Sequence, residues 1–210
     1  MSYVMTYDSL LVDLRRYLER GFTAESDEIV YEQLPRLITL GERRIARELK
    51  VSAFIRAVTT PLQAGVSVYA KPDRWRDTVS MFVAGKPLFA RSYEYIRNYW
   101  PDPAQESTPE FYADYDYQHW LIGPTPDSDD TLEILYYEQP RLLSSDFQSN
   151  WVTEYAPDLL LYAALLEATP FLKNDERIQT WQALYDRAAQ ALNGEDLKRI
   201  LDRSANRSED

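Results

Sequence analysis

The spacing of apolar residues changes period twice along this chain, from helical to strand-like and back, and that succession constrains the fold more than any single motif. Near the start, Leu10, Leu11, Leu14, Tyr17 and Leu18 recur at helical intervals, with Asp13, Arg15, Arg16 and Glu19 turned outward. Thr6 or Asp8 can cap this helix, and Gly21 ends it. A second helix starts at Ser26 or Asp27. Pro35 either interrupts it or sits in the first turn of its main part, because proline is tolerated early and kinks an interior. Leu37, Ile38, Gly41, Ile45 and Leu49 then form one face, and Glu42, Arg43, Arg44 and Arg47 the other. The two segments read as a helical hairpin.

The middle of the chain follows the other period. Thr59 to Tyr69 holds β-branched residues, and Thr78 to Phe89 reads as two short strands about an Ala84-Gly85-Lys86 turn. Tyr93 to Tyr99 reads as a short helix ended by Pro101. Phe111 to Ile122 and Thr131 to Tyr137 read as further strands, joined by Gly123-Pro124-Thr125-Pro126-Asp127. In the last of them Leu132, Ile134 and Tyr136 alternate with Glu133, Leu135 and Tyr137.

Helix returns at Asn150, with Pro157 either opening a new helix or bending the existing one. Leu159, Leu160, Tyr162, Ala163, Leu166 and Phe171 make this stretch apolar nearly all round, as the most buried element of a bundle is. The turn Phe171 to Asp175 leads to a final amphipathic helix through Trp181, Leu184, Tyr185, Ala188 and Leu192, ended by Asn193-Gly194. Residues 195–210 carry only Leu197, Ile200 and Leu201 as apolar anchors and read as a flexible tail that orders against a partner.

The expected fold is therefore α+β, mainly α. A bundle of about four helices is formed by an N-terminal hairpin (1–50) and a C-terminal pair (146–194), with a β-rich acidic insertion at 51–145 and a tail at 195–210.

Charge and cysteine content narrow the function. The net charge is −11, and ten of the 34 acids but none of the 23 bases fall between Pro101 and Pro140, leaving 24 acids against 23 bases elsewhere. That is the opposite of a phosphate-gripping surface, and it suits a protein past which DNA slides. With no cysteine, disulfides and thiolate chemistry are excluded. The N-terminus lacks the pattern of a signal peptide, and no apolar run reaches bilayer length, so a soluble protein without a membrane partner is expected.

Constellations that could carry chemistry resolve into ordinary structure. Asp127, Asp129, Asp130 and Glu138 approach calcium-loop spacing. Leu132, however, occupies the place of the required glycine, and a strand follows where a helix should, so the stretch reads as a solvated acidic turn. His119 is the only histidine and has no glycine-flanked serine to serve, which makes it a structural or surface residue. Gly85-Lys86 lacks the earlier glycine of a phosphate loop. No catalytic residue, metal site or cofactor is assigned.

Tyr136-Tyr137-Glu138-Gln139-Pro140-Arg141-Leu142-Leu143-Ser144, then Asn150-Trp151, then Ala156-Pro157-Asp158-Leu159 through Glu176-Arg177 together resemble the adaptor, or head-to-tail joining, proteins of tailed bacteriophages. Leu34-Pro35 to Glu48-Leu49 and Gly123-Pro124-Thr125-Pro126-Asp127 agree, so the resemblance spans most of residues 6–193. It implies a virion protein assembled in the host cytoplasm that forms a ring of about twelve copies at the head–tail junction. The implied partners are the portal protein above, further copies of itself at the sides, and a tail or nozzle protein below. Genomic double-stranded DNA passes through without sequence-specific binding.

Only the C-terminal segment Leu197, Lys198, Arg199, Ile200, Leu201 and Arg203 acquires a portal role from the resemblance. Asp127, Asp129 and Asp130, with Arg43, Arg44 and Arg47, are candidate surfaces toward a neighbouring subunit, the channel or the tail. Sixteen tyrosines and five tryptophans suit subunit interfaces, and equally they suit the filling of a small β-domain. Two rival functions stay open. One is another portal-associated head-completion or packaging accessory protein; the other is a small hydrolase using the acidic insertion, for which activity lost on changing Asp129 or Asp130 would be the sign.

Overall fold

The computed structural model of the protein describes residues 4–172 and 176–205. Among them, six α-helices and a curled seven-stranded sheet make a mixed α and β fold. The chain divides into two compact units, residues 54–139 forming one and residues 1–53 with 140–210 the other.

In the helical unit, α1 (Tyr7–Leu18) is capped by Thr6 rather than Asp8. The Thr6 hydroxyl accepts from the Ser9 N–H at 3.1 Å, and the Ser9 hydroxyl accepts from the Thr6 N–H at 2.8 Å. Helix α2 (Ala24–Glu48) begins a turn earlier than its sequence suggests, at a Thr23 cap. At Asp27 the backbone leaves the helical region, and the Asp27 carboxylate accepts from the Val30 N–H at 3.3 Å, so Asp27 caps the main run. Pro35 does not interrupt that run: it stands on the exposed side of the helix, where water can take the bond proline cannot make.

Asn150 caps α4 (Trp151–Tyr155), and Pro157 opens α5 (Pro157–Glu167), the position at which proline costs a helix nothing. Helix α5 buries Leu159, Leu160, Leu161, Ala163, Ala164, Leu165 and Leu166, and α1, α2, α4 and α6 (Arg177–Ala205) all pack against it. The two N-terminal helices meet α5 more extensively than they meet each other. The approach of α2 to α5 is close because Gly41 carries no side chain. A Cβ there would lie 2.9 Å from the Ala164 nitrogen and 3.1 Å from its Cα.

The expected mainly α fold on a core of about four helices is not borne out, since among the described residues six helices share the chain with a seven-stranded sheet, and two further expectations change. Glu42, assigned to the solvent face of α2, is buried at 6% exposure. Helix α6 does not stop at Asn193-Gly194 but continues to Ala205, so residues 195–205 have helical backbone. The rest of the expected tail, 206–210, and residues 173–175 of the expected turn lie outside the described residues.

The second unit is the sheet, with strands in the order β1-β7-β3-β4-β5-β6-β2. These are β1 (Ile55–Leu62), β2 (Val68–Ala70), β3 (Trp75–Val83), β4 (Lys86–Ala90), β5 (Phe111–Asp114), β6 (His119–Gly123) and β7 (Asp130–Glu138), with α3 (Tyr93–Tyr99) between β4 and β5. All pairings are antiparallel except the short β4–β5 contact. On β7, Leu132, Ile134 and Tyr136 point inward as the alternation predicts. They join Met81, Trp120 and Ile122 in one core, where the Trp75 and Trp120 indole N–H groups both donate to the Thr78 hydroxyl.

The β3–β4 hairpin closes on Ala84 and Gly85, both at positive φ (48° and 73°), between the paired residues Val83 and Lys86. Alanine is the wrong residue for that conformation, since its Cβ crowds the following carbonyl. Ala84→Asn is expected to stabilise the protein by about 0.5–1 kcal/mol, read as a rise of about 2–4 °C in the melting transition of the β unit. An unchanged or lower transition would mean the turn is not strained.

Candidate functional site

The acidic loop stands in water and is fastened by its own carboxylates. Asp127, Asp129 and Asp130 are all exposed, and each fastens the loop. Asp129 accepts from the Ala64 N–H at 2.9 Å, Asp130 from the Thr131 N–H at 2.7 Å, and Asp127 from the Ser128 hydroxyl at 3.2 Å. Among the described residues no group of three or more His, Asp or Glu side chains could hold a metal ion. His119 lies on the surface with Nδ1 2.9 Å from both Asp116 carboxylate oxygens, where it ties down the turn between β5 and β6.

The basic face of α2 divides into two parts. Arg44 is occupied within the helical unit, 3.1 Å from Glu48 and 3.3 Å from Glu167, with its guanidinium 5.2 Å from the Tyr185 ring centre. The Tyr185 hydroxyl donates to Glu48, and burial first, then that bond to Glu48, pushes the phenol well above its ordinary range. Arg43 and Arg47 are exposed. By exposure, then, Arg44 stands apart from the two arginines that the sequence groups with it.

The tyrosine-rich segment divides between side chains that fill the sheet unit and side chains left in water. Tyr95 packs on the small cluster of Ile96, Ala113 and Leu121, and Tyr112 packs against the main β core. Tyr99 and Tyr117 stand 64% and 81% exposed, and Tyr93 and Tyr115 form a tilted pair at 5.8 Å with both rings partly in water. Arg91 lies over Tyr95 and Phe111 at 5.6 and 5.4 Å.

Sequence reasoning missed two charged groups. Lys71, with only 3% of its side chain exposed, donates to Asp114 at 2.6 Å and to the Asp116 carbonyl at 3.0 Å, and sits 3.7 Å over the Trp75 ring. It neutralises part of the acidic segment from beneath, and nothing in its local sequence announces that. Glu42 accepts from the Leu143 N–H at 3.1 Å and from the Asn150 side-chain amide at 2.8 Å, tying α2 to the start of α4. Its burial outweighs these bonds and raises the carboxyl to about 7.

The segment Leu197, Lys198, Arg199, Ile200, Leu201 and Arg203 lies on the distal part of α6. Nearer the core, Trp181 and Tyr185 are buried, and none from Asp186 to Gly194 is. No helix of the described residues is long and apolar enough to cross a membrane.

The surface therefore offers exposed aromatic, acidic and arginine-bearing faces and a helix with no buried residue from Asp186 to Gly194, which are features of a protein that makes contacts. Curated proteins provide no match to the chain. The SU10 adaptor protein family matches residues 5–208, covering both compact units and the whole of α6, and the chain belongs to that family of phage head–tail adaptors, a structural family.

Proposed function

We propose that this adaptor closes into a ring of about twelve copies on the portal vertex and joins the head to the tail, with no reaction catalysed and no cofactor required. The family match across residues 5–208 carries the reading. In the virion, the ring surrounds the passage of the genomic double-stranded DNA. An acidic excess of ten residues against none between Pro101 and Pro140 keeps phosphates from adhering to it. A downstream tail or nozzle protein seats beneath, and assembly takes place in the host cytoplasm.

Helix α6 supports the portal contact. Its 29 residues reach about 43 Å, against about 16 Å for the 11 residues of α5, the helix it packs on. Most helical stability in proteins comes from packing an apolar face, and since no residue from Asp186 to Gly194 is buried, a partner that supplies one fits this stretch. Leu197, Ile200 and Leu201 recur at helical intervals for that purpose, with Lys198, Arg199 and Arg203 among them.

Native mass spectrometry and negative-stain imaging of the full chain mixed with portal protein test the reading. A portal-bound ring is expected, and a monomer indifferent to portal would refute it. Removing residues 195–210 is expected to weaken portal binding at least about tenfold while leaving the melting transitions in place, because none of the residues from Asp186 to Gly194 that lead into this segment is buried. Unchanged binding would remove the role of the arm.

A further inference from the structure

We infer that the outward face of α2 is a docking seam for the acidic 127–130 loop of a second copy, an inference that rests on the ring reading above. Helix α2 has two seams. The inner one buries Leu34, Leu37, Ile38, Gly41 and Ile45. On the other side Ile29, Gln33, Arg36, Leu40, Arg43 and Arg47 follow at intervals of four, three, four, three and four residues. At ~100° per residue that spacing holds all six in a stripe about 80° wide, the geometry of a helix seam that meets a partner.

Two residues of this stripe are large apolar side chains left in water, Ile29 at 69% and Leu40 at 41% exposure. Arg36, Arg43 and Arg47 are exposed beside them, and the stripe contains no acid. Three cations interleaved with two apolar side chains fit an acidic protein surface. This chain carries one. Asp127, Asp129 and Asp130 are exposed, and their loop hydrogen bonds hold the carboxylates at fixed positions, so little ordering is needed when a partner arrives. Phosphates of passing DNA would also attract the arginines, but they give no use to Ile29 and Leu40. Seam and loop are different surfaces, so the contact is head-to-tail and repeats from copy to copy, as closure into a ring requires.

The absence of cysteine makes the contact directly readable. Full-length chains carrying only Arg43→Cys and chains carrying only Asp129→Cys are mixed on portal rings and treated with a short bis-maleimide. The mixed pair is expected to cross-link at least about tenfold more than either variant with itself. Arg36→Glu with Arg43→Glu is expected to lower ring assembly at least about tenfold, with recovery when Asp129→Arg and Asp130→Arg are added to the same chain. Normal rings from the charge-reversed chain, with no preferred mixed cross-link, would overturn the seam and leave the ring reading standing. A wild-type chain that forms no ring would overturn both. Rings that persist in the charge-reversed chain while its DNA retention falls would reassign the stripe to DNA and overturn the seam.

Discussion

Replacing Gly41 with leucine is expected to abolish the native helical unit, and replacing it with alanine to cost about 1–3 kcal/mol. Alanine at an ordinary helix position gains about 1 kcal/mol over glycine, so the sign of the result separates packing from propensity. At Gly41 the added carbon meets backbone: the Ala164 nitrogen at 2.9 Å, its Cα at 3.1 Å and the Ala163 carbonyl carbon at 3.2 Å. Backbone atoms of a buried helix cannot rotate aside as a side chain can, so α2 and α5 must separate along their whole contact. Gly194 supplies the control within the same protein. It lies in α6 with nothing within 4 Å of an added Cβ, and Gly194→Ala is expected to stabilise by up to about 1 kcal/mol. Urea unfolding followed by far-ultraviolet circular dichroism reads both variants. A neutral or stabilising Gly41→Ala would mean the two helices do not approach this closely.

Where one residue's neighbours along the chain decide its environment, the sequence was sufficient. The alternation of Leu132, Ile134 and Tyr136 put the correct face of β7 inward, because strand geometry leaves no other choice. The all-apolar stretch of α5 marked the most buried helix, and Gly41 fell on the inner face of α2 by spacing alone. Glu42 failed for a definite reason. It sits at the margin of that inner face, and its charge placed it with Arg43 on the outer one. The groups that make burial tolerable, the Leu143 N–H and the Asn150 amide, lie 101 and 108 residues further along the chain. Asn193-Gly194 failed differently. A glycine after an asparagine is a legitimate stop signal, but in an exposed helix it costs only about 1 kcal/mol and is overridden by the helical residues on either side. Among the candidate surfaces, residue type alone grouped Arg44 with Arg43 and Arg47. Position round the helix and the acids Glu48 and Glu167 separate it from them.

Glu42 gives the largest pH effect expected of this protein. Its carboxyl titrates near 7 in the folded chain, against an ordinary value of 4.5, because burial penalises the charged form more than the bonds from Leu143 and Asn150 favour it. Between those two values the folded state holds a proton that the unfolded state has released. The contribution of this group is therefore fully present below about pH 4.5, falls as the pH rises to about 7, and is flat above that, a total loss of about 3 kcal/mol. Glu42→Gln removes the titration yet keeps an acceptor for the Leu143 N–H. Its urea midpoint is expected to match that of the wild type near pH 5 and to exceed it near pH 8 by about 1–3 kcal/mol. Other carboxylates contribute the same slope to both chains, so the difference between the two curves isolates Glu42. Glu42→Ala also removes the titration but strands the Leu143 N–H and one N–H of the Asn150 amide, so it is expected to lose about 2–4 kcal/mol near pH 5, a deficit that shrinks as the wild type weakens toward pH 8. Parallel curves for the wild type and Glu42→Gln from pH 5 to 8 would show that this carboxyl is ionised throughout, and that the bonds donated by Leu143 and Asn150 outweigh its burial.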